Sequence, residues 1–329
     1  MILIGAQDVG PSNYLAKILQ LLQIPYVCYA SELSSKVFSR HNINSVVRSI
    51  FFDNDAHLIM TGTTLVDGID KELISYAKSK GIPSISVIEH WTNFMDRFKD
   101  SNGKMIYPDY IFVNDEYALQ MAKNNKLPEN KIVVVGNPVL EEIQLKSDKF
   151  VSNKKKENSL LFISENLTEH RPENGERHLG FNQFDVLSDI IRLSGGTWEI
   201  DLKLHPSENE ESYSDFLLGE KISLVDYKQM IDRVPEYQII IGMESMLLLE
   251  LAIMGLKVYS YRPSSKRNFI GCELGWVIDL NLEDLSKILI QNVYPQAGTR
   301  KIIPDFIGST ARIINHITNI YEHNSINPS

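Results

Sequence analysis

Two series of alternating strands and helices, separated by one polar segment, constrain the fold of this chain more than any other feature. In the first series, short apolar runs such as Ile2–Ile4 and Ser84–Ile88 alternate with helical patterns such as Lys71–Lys80, which Gly81 should end. Near-continuous apolar strands separated by helices are typical of a parallel sheet that helices cover on both faces.

The alternation stops at Lys146–Asn158, a polar stretch with three consecutive lysines that predicts a solvated linker. It restarts with predicted strands at Ser159–Ile163, Glu199–Leu204 and Ile239–Ile241. The chain has 329 residues, which is enough for two separate cores.

The doubled pattern therefore predicts the α/β class, with two Rossmann-like domains that face each other across a cleft. We expect the first domain over residues 1–150 and the second over residues 151–329. The C-terminal helix predicted at Thr310–Tyr321 is expected to pack back on the first domain.

Charge and apolar content exclude several classes of protein. The formal net charge of −9 argues against nucleic acid as a partner, although a local basic patch can still hold an anionic ligand. The N-terminus lacks the pattern of a signal peptide, and no apolar run reaches the ~18 residues of a membrane span. Cys28 and Cys272 have no metal-ligand spacing and are expected to be reduced thiols. We expect a cytoplasmic protein with at most peripheral membrane contact.

Candidate functional residues are sought at the carboxyl ends of the predicted strands, where ligands of open parallel sheets bind. His205 and Pro206 follow one such strand, and a histidine there can donate to a phosphate or act as an acid. The alternative is a histidine that caps a loop.

The turn Gly242-Met243-Glu244-Ser245 links a strand to an apolar helix. Free backbone N–H groups and the positive end of the helix dipole make such a turn an anion site, and Gly242, Glu244 and Ser245 are candidate donor-binding residues. Ser245 can equally serve as an ordinary N-cap.

The run Glu89-His90-Trp91 follows the strand Ser84–Ile88. Glu89 is the candidate general base, and His90, Trp91 and Arg97 are candidate acceptor-binding residues, Trp91 by stacking on a sugar ring. The alternative pairs Glu89 with Arg97 and packs Trp91 between helices.

The first strand-to-helix turn, Gly5–Gly10, lacks the second and third glycines of a dinucleotide-binding fingerprint, so no nicotinamide cofactor is expected. Asp8 in this turn is a rival catalytic carboxylate, or only the first turn of the next helix. Arg262, Lys266 and Arg267 form a basic loop that can add positive charge for a nucleotide phosphate, or is simply solvated. The irregular stretch Glu165–Gly180 has the length of a functional or mobile loop.

Several of these segments resemble one group of enzymes. Asp201–Pro206 resembles the HP motif of bacterial sialyltransferases and polysialyltransferases, and is similar to elements of capsule Kdo and teichoic-acid polymerases. Gly242–Ser245 with the Leu249-Glu250 helix resembles their serine-bearing turn. Lys131–Pro138 and Pro108–Asn114 are similar to the end of their N-terminal domain.

The resemblance implies a GT-B fold and assigns roles to individual residues. His205 and Ser245 would contact the phosphate of a donor nucleotide, and Glu89 would be the base. This chain departs from the pattern where Glu244-Ser245 replaces paired serines and where His90-Trp91 follows Glu89.

The resulting expectation is a glycosyltransferase that moves a sugar, such as a nonulosonic acid from a CMP-sugar, onto a glycan or lipid-linked acceptor. Transfer would be inverting and independent of metals and cofactors, with the nucleotide-sugar as co-substrate. Three alternatives remain open: a sugar-nucleotide epimerase or hydrolase of the same fold, a CDP-glycerol-type phosphotransferase, and a non-enzymatic sugar-binding protein.

We expect chelators to leave catalysis unchanged, because no histidine, cysteine or carboxylate cluster has convincing metal-ligand spacing. The measurement is turnover before and after EDTA treatment. Loss of turnover in EDTA with recovery in Mg²⁺ or Mn²⁺ would contradict this, and the ligands would then be sought among Glu165, Glu169, His170 and His178.

Overall fold

A computed structural model describes most of the chain. The described residues are 1–47, 55–147, 155–167, 180–218, 221–264, 268–295 and 301–326. The chain divides into two compact units, the first formed by Met1–Glu142 with Pro304–Ser329 and the second by Ile143–Ile303.

The first unit is built on a seven-stranded sheet in the order β3-β2-β1-β4-β5-β6-β7, and every pair of neighbouring strands is parallel. Its strands are β1 (Ile2–Ala6), β2 (Tyr26–Ala30), β3 (Val46–Val47), β4 (Leu58–Thr61), β5 (Ser84–Ile88), β6 (Tyr110–Val113) and β7 (Ile132–Val134). Its helices are α1 (Val9–Leu19), α2 (Glu32–Arg40), α3 (Ile69–Lys80), α4 (Glu116–Asn124) and the start of α5 (Pro138–Leu145).

Strand β1 shows why the sheet needs helices on both faces. Ile2 and Ile4 belong to one buried cluster and Leu3 to another, because successive side chains of a strand point to opposite faces. Strands buried on both faces read as continuous apolar runs, which is the pattern found in the sequence.

The second unit repeats this plan. Its six-stranded sheet has the order β10-β9-β8-β11-β12-β13, again with every neighbouring pair parallel. Its strands are β8 (Lys156–Ile163), β9 (Glu199–Lys203), β10 (Ile222–Leu224), β11 (Tyr237–Gly242), β12 (Tyr259–Tyr261) and β13 (Ile278–Leu280). Its helices are α6 (Gln183–Ser194), α7 (Ser214–Leu217), α8 (Tyr227–Arg233), α9 (Met246–Ile253), α10 (Ile270–Glu273) and α11 (Leu282–Gln291).

The strand order confirms the prediction of two Rossmann-like domains. Counted from its own first strand, the first sheet runs 3-2-1-4-5-6-7 and the second 3-2-1-4-5-6, so the direction of winding reverses between β1 and β4 and again between β8 and β11. These reversals are the topological switch points, where open α/β sheets bind ligands at the carboxyl ends of their strands.

The last helix, α12 (Ser309–Ile326), belongs to the first unit. Ile313 and Ile317 lie in the same buried cluster as Ile2 and Tyr14. The edge of the ring of His316 also contacts Phe112, with ring centroids 5.8 Å apart. The C-terminal segment therefore crosses back to complete a core begun by the first strand.

Most predicted elements occur at or near their predicted bounds, and Gly81 ends α3 in the left-handed conformation at φ 68°. Two differences are informative. Helix α2 was missed because its only buried apolar side chains are Val37 and Phe38, too few for a helical pattern. Strand β8 starts at Lys156, inside the predicted linker. The sequence pattern did not indicate this, because the first three residues of the strand are exposed and polar, as those of a linker are. No described helix is long and apolar enough to span a bilayer, and the cytoplasmic location stays a prediction.

We expect Glu141→Ala to lower the free energy of unfolding by about 1.5–3 kcal/mol, the cost of losing charge-assisted hydrogen bonds. The Glu141 carboxylate accepts from the backbone N–H groups of Gly308 and Thr310 at 2.6 and 2.8 Å, and so fixes the start of α12. Urea denaturation measures the effect.

The matched control is Glu142→Ala at the next position of the chain. It removes the partly exposed ion pair between Glu142 and Lys17. That pair should contribute less than about 1 kcal/mol. Equal losses in the two variants would contradict the capping role of Glu141.

Candidate functional site

Glu89 lies at the carboxyl end of β5 in the first unit, with its side chain 18% exposed. Its Oε1 atom is 3.6 Å from Nη1 of Arg97, and Oε2 has no hydrogen-bond partner among the described residues. Burial raises the pKa of Glu89, Arg97 lowers it, and the charge of Asp8 raises it further. A carboxyl group with a raised pKa that is not fully occupied by partners is suited to proton transfer.

Arg97 is held in place by three neighbours. Its Nε donates to the carbonyl of Thr92 at 3.3 Å, and its Nη1 donates to the hydroxyl of Thr63 at 3.2 Å. Thr63 in turn donates to the carbonyl of Val87 at 3.0 Å. Arg97 has 9% of its side chain exposed and is paired with Glu89. This ion pair is the alternative that the sequence offered for Glu89.

The backbone of Glu89 is also fixed. Asn114 donates to its carbonyl at 2.9 Å, and Asn137 donates to the side-chain oxygen of Asn114 at 3.1 Å. Gly10 at the start of α1 lies against the carboxyl group, since a Cβ atom there would be 3.0 Å from Oε1. The segments noted only for a family resemblance, around residues 108–114 and 131–138, thus position Glu89.

The other residues of this run have different surroundings. Nδ1 of His90 is 2.8 Å from the hydroxyl of Thr92, and burial together with Arg97 lowers the pKa of His90 to about 4, so its imidazole is neutral at pH 7. Trp91 is 1% exposed and donates its indole N–H to Asp115 at 2.8 Å. The prediction that Trp91 stacks on a sugar ring is wrong, because this ring is part of the core.

Asp8 lies beyond the end of β1, exposed, immediately before α1. It is close enough for its charge to raise the pKa of Glu89, and that of Asp70 as well. Asp70, in the first turn of α3, is 1% exposed and was missed by the sequence analysis. The carboxyl edge of the first sheet therefore carries three carboxyl groups beside one arginine.

His205 in the second unit lies two residues beyond β9 and is exposed. Its backbone N–H donates to Glu208 at 2.6 Å, which shapes the loop that Pro206 continues. The backbone N–H of Ser207 donates to Nδ1 of His205 at 3.2 Å, so Nδ1 is the acceptor and a neutral ring carries its proton on Nε2.

The turn Gly242–Ser245 follows β11, and the Ser245 hydroxyl accepts from Leu247 N–H at 3.2 Å as the N-cap of α9. The anion predicted here is supplied by the protein itself: Glu165, after β8, accepts from the N–H of Glu244 at 2.6 Å. Burial is the largest cause that raises the pKa of Glu165 to about 7. Glu165 and Glu244 meet at the switch point between β8 and β11.

Arg262 is less available than the sequence suggested. With 6% of its side chain exposed, its Nη2 pairs with Asp279 at 2.9 Å and its Nη1 with Glu244 at 3.5 Å. This arrangement makes Arg262 a support for Glu244. Lys266 and Arg267 lie outside the described residues, as do Glu169, His170, Arg171, Arg177 and His178 of the long loop.

A cavity of about 610 Å³ opens beside Arg262 at the carboxyl ends of β12 and β13. Asp189, Asp279 and Asp284 line it. Three carboxylates beside one arginine disfavour a phosphate in this cavity. In the part of the chain that the structure describes, no group of three or more His, Cys, Asp or Glu side chains is arranged so that it could hold a metal ion.

The two parallel sheets with their switch points define a fold of two Rossmann-like domains. No protein-family model matches the chain, and no curated protein matches it. Solved structures do. UDP-GlcNAc 2-epimerase from Methanocaldococcus jannaschii, in complex with UDP-GlcNAc and UDP, has a TM-score of 0.65 at 16% identity, over 97% of this chain and 100% of that one.

Two further structures extend the likeness. UDP-GlcNAc 2-epimerase from Neisseria meningitidis, bound to UDP-GlcNAc, has a TM-score of 0.62 at 14% identity and covers 97% of this chain and 100% of its own. HepE from Anabaena, in complex with UDP and glucose, has a TM-score of 0.52 at 11% identity, with 98% and 95% covered. At these identities the likeness shows the fold, and it confirms the GT-B type.

The comparisons correct the functional prediction. The prediction of a transferase of sialic acid from a CMP-sugar is wrong, because the most similar structures include several UDP-GlcNAc 2-epimerases. Two of them hold UDP-GlcNAc. The HP motif and the serine turn resemble those of sialyltransferases because they are features of the fold of the second domain, which these enzymes share. They carry little information about the base or the reaction.

We expect Arg262→Met to lower the free energy of unfolding by about 3–5 kcal/mol, because it takes the buried guanidinium away from the nearly buried carboxylate of Glu244. Asp279 is 59% exposed, so water compensates its loss of the arginine. Arg192→Ala is the matched control in the same unit, since Arg192 pairs with Asp189 but is 59% exposed. That variant should lose less than about 1 kcal/mol. Normal stability of Arg262→Met with weakened nucleotide binding would instead make Arg262 a ligand-binding residue.

Proposed function

We propose that this protein is an enzyme that acts on a UDP-sugar and inverts one of its carbon centres, as an epimerase. The likeness of fold to UDP-GlcNAc 2-epimerases along 97% of the chain supports the class of substrate. A UDP-N-acetylhexosamine is accordingly the first substrate to test, and inversion at carbon 2 the first reaction. No acceptor is needed for such a reaction.

The carboxyl edge of the first sheet carries the proposal. Inversion at carbon 2 without a redox cofactor requires a base that removes the proton while UDP leaves carbon 1, so that the C–H electron pair forms a C1–C2 double bond. A group that returns a proton to carbon 2 from the opposite face, with re-addition of UDP to carbon 1, then completes the epimerisation. Glu89, with its raised pKa and Arg97 at 3.6 Å, is the proposed base, and Asp8 is the rival for either role. The Arg97 guanidinium lowers the pKa of Glu89 and so favours the ionised form that accepts the proton.

The nucleotide is proposed to bind the second unit at its switch point. The N–H of Glu244 and the start of α9 would receive a phosphate in place of the Glu165 carboxylate. His205, through its Nε2–H, and Pro206 would line the same carboxyl edge from β9. We propose no nicotinamide cofactor, because the turn at residues 5–10 lacks the required glycines.

The test is incubation with UDP-GlcNAc in D₂O, followed by proton NMR of the sugar and of free UDP. We expect a second UDP-sugar with deuterium at the inverted carbon. Release of UDP with a free sugar would identify a hydrolase instead. Tight binding of UDP-GlcNAc without any conversion would overturn the proposal.

Glu89→Gln should lower kcat by at least about 100-fold, the contribution typical of a general base, while UDP-GlcNAc still binds. Glu72→Gln, an exposed position on α3 of the same unit, is the matched control and should retain activity. If Glu89→Gln is fully active and Asp8→Asn is not, Asp8 is the base.

A further inference from the structure

Asp70 is a buried carboxyl group to which the proposed mechanism assigns no role. It lies in the first turn of α3, 1% exposed, and neither of its oxygens has a hydrogen bond of normal geometry among the described residues, although the backbone N–H of Gln7 is close enough to lower its pKa in part. It faces the turn after β4, because a Cβ atom built on Gly62 would be 3.8 Å from its Oδ2 and 2.5 Å from Cβ of Pro11. Asp70 therefore lies at the switch point between β1 and β4, next to the start of α1.

The charges around Asp70 come from three elements. Asp8 approaches from the loop after β1 and Glu89 from the end of β5, and both are negative. Lys71 is the next residue of α3. Its Nζ donates to the carbonyl of Val66 at 2.8 Å, and the charges of Asp67 and Asp100 also raise its pKa. The pKa of Asp70 is well above its usual value, first through burial, then through Asp8 and Glu89, and Lys71 offsets only part of this.

Arg97 compensates the negative charge of Glu89, whereas no arginine lies beside Asp70 among the described residues. Arg97 lies 3.6 Å from Glu89, so Glu89 loses its proton more readily than Asp70, the other buried carboxyl group. A second buried anion without a cationic partner is strongly unfavourable, and the neutral form of the carboxyl group avoids this desolvation cost. Asp70 thus keeps its proton while Glu89 is ionised.

We propose that Asp70 is a positioning residue whose protonated carboxyl group, between Gly62 and the start of α1, limits the negative charge beside Glu89 and so allows an anionic UDP-sugar to approach the base. This role rests on the proposed function. Loss of the proton from Asp70 at alkaline pH adds a negative charge beside Glu89, which repels an anionic substrate and weakens its binding.

The first experiment tests the proton and needs no activity. Urea denaturation is followed by Trp91 fluorescence in a chain that carries Trp198→Phe and Trp276→Phe, so that the signal comes from the first unit. The native state holds a proton that the unfolded state has lost, so stability falls as pH rises above the unfolded pKa of about 4. Between pH 5 and pH 7, the unfolding constant of the parent relative to that of Asp70→Asn should rise about tenfold per pH unit.

Asp67→Asn is the matched control. Asp67 is exposed, and its hydrogen bonds from Ser101 lower its pKa, so its stabilising effect is already complete above pH 5 and shows no slope there. If the unfolding constant of the parent relative to that of Asp70→Asn also shows no slope between pH 5 and pH 7, the proposal is overturned.

The second experiment measures kcat and KM for UDP-GlcNAc from pH 6 to pH 9.5. The parent should show an alkaline rise in KM, and Asp70→Asn should lack it. An unchanged alkaline rise in Asp70→Asn would overturn the proposal, as would a kcat lowered 100-fold at every pH, which would make Asp70 a proton donor itself. If UDP-GlcNAc is not turned over at all, the proposed function fails, and the unfolding experiment alone decides on Asp70.

Discussion

The reversal of strand order inside each sheet is the constraint on which the rest of the structure depends. Between β1 and β4, and between β8 and β11, neighbouring strands send their connections to opposite sides, and the loops at the carboxyl edge separate. Side chains of the flanking loops fill that space. In the first unit they are Asp8 and Asp70, with Glu89 one strand further, and in the second unit they are Glu165 and Glu244.

Both switch points concentrate negative charge, and the protein compensates it only in part. Arg97 compensates the charge of Glu89, and Arg262 compensates the charge of Glu244. Both arginine side chains are nearly buried. Asp70 has no such partner among the described residues, and Glu165 has only backbone N–H groups. Partial compensation leaves carboxyl groups with raised pKa values, which is the condition for proton transfer near neutral pH. It also costs stability, as functional sites commonly do.

Glu165 shows how one carboxylate can stand in for a ligand. The sequence predicted an anion site at Gly242–Ser245, and the structure has an anion there from the same chain. A nucleotide phosphate would compete with it for the N–H of Glu244. Because the pKa of Glu165 is about 7, small changes in its surroundings decide whether it holds the N–H as a carboxylate or yields it as a neutral acid.

The sequence by itself determined the fold class, the division into two βα series and most strands, because buried parallel strands require continuous apolar runs. It also placed Glu89, His205 and Ser245 at strand ends, since that position follows from chain order alone. It did not distinguish the burial of Trp91, the pairing of Arg262 or the presence of Asp70 at the switch point. Those depend on contacts between segments far apart in the chain, such as α3 against the β1–α1 turn, and only tertiary structure brings them together. The reaction was beyond the sequence for the same reason: the motifs report a shared fold, whereas the chemistry depends on which carboxyl groups are buried together and which of them has a partner.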